Sequence, residues 1–120
     1  MLGYRLYSKE VDEISGTGSA IINTLNAYSY VVAKSDSLFR KALKESDILL
    51  PDGFSVVWAH RMLTGNRIRK IAGADIFFHL LERANEHAQR IFFLGSSEET
   101  LSLISERIMV DYPQVKVGFF

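Results

Sequence analysis

An aspartate between a proline and a glycine is the residue of this sequence best suited to acid–base chemistry. Asp52 follows the apolar run 48–50 and lies between Pro51 and Gly53. Proline fixes the direction of the chain there, and glycine lets another group approach closely. A carboxylate at the end of a buried strand could take the proton of an attacking hydroxyl group. The alternative is structural, because this Asp could instead cap a helix that begins at Phe54.

Two other strand ends carry residues that could bind a ligand. Thr24 and Asn26 follow an apolar segment, and their hydroxyl and amide groups could hydrogen-bond a polar ligand. Asn26 could equally be the N-cap of the next helix. Gly95 follows the apolar run 91–94 and leads into a helix whose first N–H groups could hold a phosphate. This turn has no P-loop lysine, so by itself it does not establish phosphate binding.

The remaining polar clusters each leave two interpretations open. Arg67, Arg69 and Lys70 lie within four residues and could neutralise a diphosphate, or they could form a solvated loop. The small-residue run 15–19 resembles a phosphate-binding glycine loop, but it lacks the full G-x-G-x-x-G pattern and precedes a strand, which favours a plain turn.

The sequence predicts no metal site. His60, His79 and His87 are dispersed without the spacing of zinc ligands, and there is no Asp-x-Asp pair. We therefore expect no metal and no other cofactor.

Apolar runs and helical patterns alternate along the chain. Strands are predicted at 20–24, 48–50, 90–94 and 115–119, with a further short strand at 2–7, and helices at 27–35, 38–45, 54–63, 74–87 and 98–112. Such alternation predicts an α/β fold with a Rossmann-like parallel sheet and helices on both faces. Ligands of such sheets bind beyond the carboxyl ends of the strands, so we expect Thr24, Asp52 and Gly95 on one edge.

The same patterns predict which side chains are buried. The first two helices should turn Tyr28, Val31 and Val32, and then Leu38, Phe39 and Ala42, toward the core. The large aromatic residues in apolar segments are predicted to be core rather than a stacking platform: Trp58, Phe77, Phe78, Phe92 and Phe93.

Composition limits the class of protein. The chain has 120 residues, the size of one domain, with 14 basic and 14 acidic residues and no cysteine. A neutral balance argues against a nucleic-acid partner, and the absence of cysteine excludes disulfides and thiol chemistry. No apolar stretch approaches the roughly 20 residues of a membrane span, and the N-terminal residues are not those of a signal peptide. A cytoplasmic location is therefore expected, with attachment to the inner face of the cell membrane left open.

Several motifs occur together in an order typical of one known family. From about residue 20 onward the chain resembles the WecG/TagA/CpsF family of bacterial glycosyltransferases. The motifs that carry this resemblance are Thr24-Leu25-Asn26, Pro51-Asp52-Gly53, Gly73-Ala74-Asp75 and Leu94-Gly95. Where many relatives have Arg shortly before the G-x-D motif, this chain has Lys70.

The resemblance implies an inverting transfer of an N-acetylmannosamine-type sugar in cell-envelope polysaccharide synthesis. The donor would be a UDP-sugar, and the acceptor an undecaprenyl-diphosphate-linked N-acetylglucosamine. Asp52 matches the catalytic base, Thr24 and Asn26 the sugar pocket, and Gly95 the turn near the nucleotide. Gly53, Gly73 and Asp75 complete the expected binding residues.

The resemblance also implies the extent of the domain. Family members are about twice this length, so residues 1–120 are expected to form the N-terminal part of a longer glycosyltransferase domain. Membrane contact is then expected only through a C-terminal part outside this chain.

Two other functional classes remain open. The chain could be a non-catalytic α/β module that binds a nucleotide or sugar phosphate, or an unrelated α/β interaction domain. The oligomeric state also stays open, and a homo-oligomer is compatible with the sequence.

Overall fold

The computed structural model describes residues 2–15 and 18–119, so the glycine-rich turn predicted at 15–19 lies partly outside the described residues. The chain forms two compact units, Met1–Ile76 and Phe77–Phe120. In order along the chain, the strands and α-helices are β1 (Ile22–Leu25), α1 (Ala27–Ser35), α2 (Ser37–Lys44), β2 (Ile48–Pro51), α3 (Phe54–Thr64), α4 (Gly73–Glu86), β3 (Arg90–Phe93), α5 (Glu98–Asp111) and β4 (Lys116–Phe119).

The first unit is built on the parallel pair β1–β2. The register places Ile22 opposite Ile48 and Leu25 opposite Pro51. Leu25 is completely buried, and the core around it includes Leu49 and Val56. Both strands therefore end at the same edge of the pair, and their carboxyl ends lead into α1 and α3.

The second unit contains the parallel pair β3–β4, in which Arg90 lies opposite Lys116. Its core is formed by Leu81, Ala84, Ile108 and Val115, from α4, α5 and the residue before β4. Parallel pairing and strand–helix alternation confirm the predicted α/β class, and the arrangement fits an incomplete Rossmann-like fold. The described strands form two separate pairs rather than the one sheet predicted.

Residues 2–7 do not form the predicted strand. The Tyr7 N–H donates to the Leu49 carbonyl at 2.8 Å, but no ladder develops along β2. Tyr4 and Leu6 are nevertheless buried in the core of the first unit. Buried side chains therefore fix this segment against the core of the first unit. Alternate burial of this kind produces the same apolar pattern as a strand.

The buried faces of α1 and α2 also differ from the prediction. Ala33 and Leu43 are the buried residues of these helices, whereas Tyr28, Val31 and Leu38 are exposed. Ala42 is exposed as well, and Phe39 packs partly against the core as expected. The first four residues after the α1 N-cap are mostly aromatic or small, so periodicity could not select one face.

Several large aromatic side chains predicted as core are exposed instead. Trp58 has 65% of its surface exposed, and Phe77, Phe78 and Phe92 are exposed too. Phe93 alone of this set packs partly against a core, that of the second unit. An apolar run marks a helix or strand but does not say which side chains other elements will cover.

Candidate functional site

The carboxyl ends of β1 and β2 bring several predicted site residues to one edge. Thr24 lies opposite Leu50 in the strand register, one residue before the end of β1. The Asp52 N–H donates to the Leu25 carbonyl at 2.9 Å, which ties the residue after β2 to the end of β1. Thr24, Asn26 and Asp52 therefore share this edge, as the motif spacing predicted.

Asp52 does not cap α3. The N-cap of α3 is Gly53, and no side chain accepts a hydrogen bond from the first turn of that helix. Asp52 is half-buried, and its carboxylate has no hydrogen bond or ion pair with another residue in the described ranges. The capping interpretation is therefore wrong. The carboxylate is left available for a ligand at the strand edge.

Gly53 adopts a backbone conformation that other residues avoid. Its φ is 109° and its ψ is 147°, a region occupied almost only by glycine. A Cβ placed there would meet only the Ser55 hydroxyl oxygen at 3.9 Å, an ordinary contact. The turn from β2 into α3 thus requires glycine at this position. The same turn sets the position of Asp52.

Asn26 serves as the N-cap of α1. Its Oδ1 accepts from the Ser29 N–H at 2.8 Å, and the Ser29 hydroxyl oxygen accepts from the Asn26 N–H at 2.9 Å. This reciprocal pair is a capping box. The structural alternative for Asn26 is thus confirmed, and its predicted contact with the sugar stays a prediction.

Gly73 and Asp75 begin α4 near the same edge. The Ile71 N–H donates to the Pro51 carbonyl at 2.9 Å, which places the approach to α4 beside the end of β2. Asp75 Oδ2 accepts from the Ala72 N–H at 2.8 Å. The aspartate of the G-x-D motif therefore stabilises the start of its own helix. Its predicted contact with substrate stays a prediction.

The three cations of the basic loop lie in different surroundings. Arg69 pairs with Glu10, with Nε and Oε1 3.0 Å apart. The Lys70 ammonium lies 5.1 Å from the centre of the Phe54 ring, at the start of α3. Arg67 lines a cavity of about 630 Å³ together with Arg5 and other residues. The loop is therefore not a single diphosphate clamp, and only Lys70 lies against a helix that starts at the edge.

His60 also lines that cavity. Burial lowers the pKa of this imidazole, and its Nδ1 has no hydrogen-bond partner among the described residues. Neither Arg5 nor the contact between Lys70 and Phe54 was anticipated, because the partners are far apart in sequence. Among residues 2–15 and 18–119, no three His, Asp or Glu side chains form a group that could bind a metal.

Gly95 belongs to the second unit. It follows β3 with a φ of 105°, and a Cβ added to it would meet nothing within 4 Å. The helix after it, α5, is capped by Ser97, whose hydroxyl oxygen accepts from the Thr100 N–H at 3.2 Å. The predicted turn from strand to helix is therefore confirmed, and its role in nucleotide binding stays a prediction.

Comparison with known proteins shows which family the chain belongs to. The family model described as "Glycosyl transferase WecG/TagA/CpsF family" matches residues 5–120. The chain belongs to this family. The match covers the whole edge described above and confirms the resemblance found in the motifs.

Two curated relatives of this WecG/TagA/CpsF chain have the same name, N-acetylglucosaminyldiphosphoundecaprenol N-acetyl-beta-D-mannosaminyltransferase. The protein from Bacillus subtilis (strain 168) is 36% identical over 100 residues, which is 82% of this chain and 39% of the relative. The protein from Bacillus spizizenii is 30% identical over 99 residues, 82% of this chain and 38% of the relative. The chain thus spans about two fifths of the length of these enzymes.

No helix in the described residues is both long and apolar enough to cross a membrane.

Proposed function

We propose that this chain carries the acceptor-activating part of an inverting glycosyltransferase. The reaction would move an N-acetylmannosamine-type sugar from a UDP donor to a lipid-diphosphate-linked N-acetylglucosamine. The observation that carries the proposal is the free carboxylate of Asp52 on the edge shared with Thr24 and Asn26. The matched relatives are named for transfer of N-acetylmannosamine to such an acceptor.

Asp52 acts as the general base in this proposal. An acceptor hydroxyl group donates its proton to the carboxylate while its oxygen attacks the anomeric carbon of the donor sugar. The bond between that carbon and the UDP oxygen breaks, and UDP leaves with the electron pair. Attack from the side opposite UDP inverts the anomeric centre. Because the Asp52 carboxylate has no competing hydrogen bond within 2–15 and 18–119, it can accept this proton without breaking a structural contact described there.

The surroundings of the edge favour a negatively charged donor. The amino termini of α1 and α3 follow the two strand ends directly, and α4 begins two residues after the contact between Ile71 and Pro51. Helix amino termini carry partial positive charge, which stabilises anions nearby. We propose that this charge and Lys70, rather than a metal ion, offset the developing charge of UDP.

The lipid acceptor also suggests where the protein works. A UDP-sugar and a lipid-linked acceptor meet where the aqueous phase borders a membrane. We propose the cytoplasmic side of that membrane, with the protein attached at its surface.

A transfer assay tests the proposal directly. A protein that spans the full length of the matched relatives is incubated with UDP-N-acetylmannosamine and a short-chain lipid-diphosphate-N-acetylglucosamine, and UDP release and product are followed by chromatography. UDP-N-acetylglucosamine serves as the control donor. We expect transfer from the first donor only, with an inverted anomeric configuration of the product by nuclear magnetic resonance.

The alternative function predicts a different result. A non-catalytic binding module would bind UDP in a calorimetric titration but give no product in the transfer assay. This chain spans about two fifths of the matched relatives, so it is expected to be inactive by itself. The same result with a protein that spans their full length would contradict the role of Asp52 as a base. Retention of the donor's anomeric configuration would contradict direct attack by the acceptor.

A further inference from the structure

Helix α3 presents a row of large apolar side chains to solvent. Phe54, Trp58 and Met62 are 78%, 65% and 67% exposed. Their spacing of four residues places them on one face of the helix. Val56, on the other side of α3, is buried in the core of the first unit. The helix is therefore apolar on both sides, and only one side is covered by the fold.

The surroundings of this apolar row are basic. Residues 53–74 contain four Lys or Arg residues and no Asp or Glu, although the whole chain has zero net charge. Arg61 is exposed and lies three residues after Trp58, on the same side of α3. Lys70 lies over the Phe54 ring at the other end of the row. Arg69 contributes less, because Glu10 pairs with it.

We propose that the exposed face of α3, defined by Phe54, Trp58 and Met62, docks on an anionic lipid surface. Aromatic side chains combined with Lys and Arg are the composition of helices that lie in a membrane interface. The aromatic and apolar groups enter the boundary between headgroups and acyl chains, and Arg61 contacts lipid phosphates. The charge of this face matches a membrane rather than a second copy of the chain, since two such faces would repel each other.

The position of the face relates membrane binding to the proposed reaction. Phe54 is the second residue after Asp52, so a membrane on α3 would lie next to the strand edge that carries the proposed base. The N-acetylglucosamine hydroxyl group of a lipid-linked acceptor would then reach Asp52 from the membrane surface. The delivery of the acceptor to Asp52 rests on the proposed function, whereas lipid binding by α3 does not. The proposal also places membrane contact within this chain, and not only in a C-terminal part as first expected.

The tryptophan of the proposed face provides a direct probe, because the chain contains one Trp. Trp58 fluorescence is recorded while vesicles of phosphatidylglycerol and phosphatidylcholine are added to the protein. We expect a shift of the emission maximum to shorter wavelength, and quenching when the lipids carry bromine on the acyl chains. Pure phosphatidylcholine vesicles should give a much smaller shift, and high salt should reverse binding.

Matched variants locate the contact on α3. Met62→Gln should weaken the partition onto anionic vesicles by roughly tenfold, since a buried methionine side chain contributes about that much. Met109→Gln, at a similarly exposed position on α5, should change nothing. Arg61→Gln should weaken binding by roughly fivefold, and Arg40→Gln on α2 serves as its control. All four positions are exposed, so folding should be retained and is checked by circular dichroism.

Each other result overturns the proposal. If Trp58 emission shifts with protein concentration in the absence of lipid, and sedimentation shows dimers, then the face binds a second copy. If Trp58 emission is unaffected by brominated lipid although the protein sediments with vesicles, another surface binds the membrane. Equal losses for the Met62 and Met109 variants would likewise exclude a specific role of α3.

A separate measurement distinguishes this proposal from the proposed function. Met62→Gln should reduce transfer to an acceptor embedded in anionic vesicles but not to the short-chain acceptor in solution. If the wild-type protein binds vesicles through Trp58 and transfers sugar to neither acceptor, the proposed function fails while the docking surface stands. If Met62→Gln transfers sugar to both acceptors at the wild-type rate, the link between docking and Asp52 is refuted.

Discussion

Replacing Asp52 by asparagine separates a catalytic carboxylate from a structural one. The Asp52 side chain makes no hydrogen bond to α3, and the backbone bond from its N–H to the Leu25 carbonyl is kept in the variant. The free energy of unfolding should therefore change by less than about 0.5 kcal/mol. For a domain of this size that corresponds to a shift in Tm of about 2 °C.

The effect of the same substitution on transfer should be large. Asparagine has the shape of aspartate but cannot take the proton of the acceptor hydroxyl group. Loss of a general base typically lowers the rate by roughly 10²–10⁴-fold, or about 3–5 kcal/mol in activation free energy. UDP affinity should be nearly unchanged, because Asp52 is assigned to the acceptor and not to the nucleotide.

Asp47 provides a matched control at the opposite end of β2. Asp47 Oδ2 accepts from the Ile21 N–H at 2.7 Å, before the strand begins. Asp47→Asn replaces a charge-assisted hydrogen bond by a neutral one, which should cost about 1 kcal/mol and lower Tm by about 4 °C. Transfer per folded molecule should be unaffected.

Two measurements on both variants complete the test: thermal unfolding by calorimetry, and turnover with the short-chain acceptor at saturating donor. The two aspartates should show opposite profiles. The reasoning is refuted if Asp52→Asn transfers sugar at the wild-type rate, or if it melts several degrees lower with turnover reduced only in proportion to unfolded protein.

Four further predictions concern the same unit. Asn26→Asp keeps the oxygen that caps Ser29 and removes the Nδ2 donor, so Tm should be unchanged while KM for the donor sugar rises several-fold in steady-state kinetics; an unchanged KM would leave Asn26 with its capping role only. Gly53→Ala should lower the free energy of unfolding by about 1–3 kcal/mol in urea titrations, because φ stays at a value that alanine avoids, and a neutral effect would contradict the described turn. Burial lowers the pKa of His60, so below about pH 6.5 the unfolded chain binds more protons at this site than the folded chain does, and the free energy of unfolding decreases as the pH is lowered. Urea titrations at several pH values should show a smaller decrease for His60→Gln. The same decrease in both proteins would exclude the effect. EDTA should leave the transfer rate unchanged, and loss of activity that Mn²⁺ or Mg²⁺ restores would contradict metal-independent chemistry.

Local sequence signals predicted β1 to β4 and the helices between them in the right order, and they identified the edge that carries Asp52. The strand predicted at 2–7 is the exception. Apolar runs bounded by Pro, Gly and capping residues located β1, β2, β3 and β4 to within two residues, since these signals are local. Gly65 ends α3 in the left-handed conformation expected of a C-cap glycine. Parallel pairing then followed from the alternation of strands and helices, and it was enough to place Thr24 and Asp52 at the same edge.

Other properties were decided only by tertiary structure. The sequence allowed Asp52 to be either a helix cap or a base. The backbone angles of the turn into α3, which place Gly53 at the N-cap, decide against the cap. The partners of Arg69 and Lys70, Glu10 and Phe54, come from segments far away in the chain. The exposed row on α3 could not be predicted either, because a helix that is apolar on all sides has no periodicity. Which of its faces is buried depends on what packs against it, and the local spacing of apolar residues does not determine long-range packing.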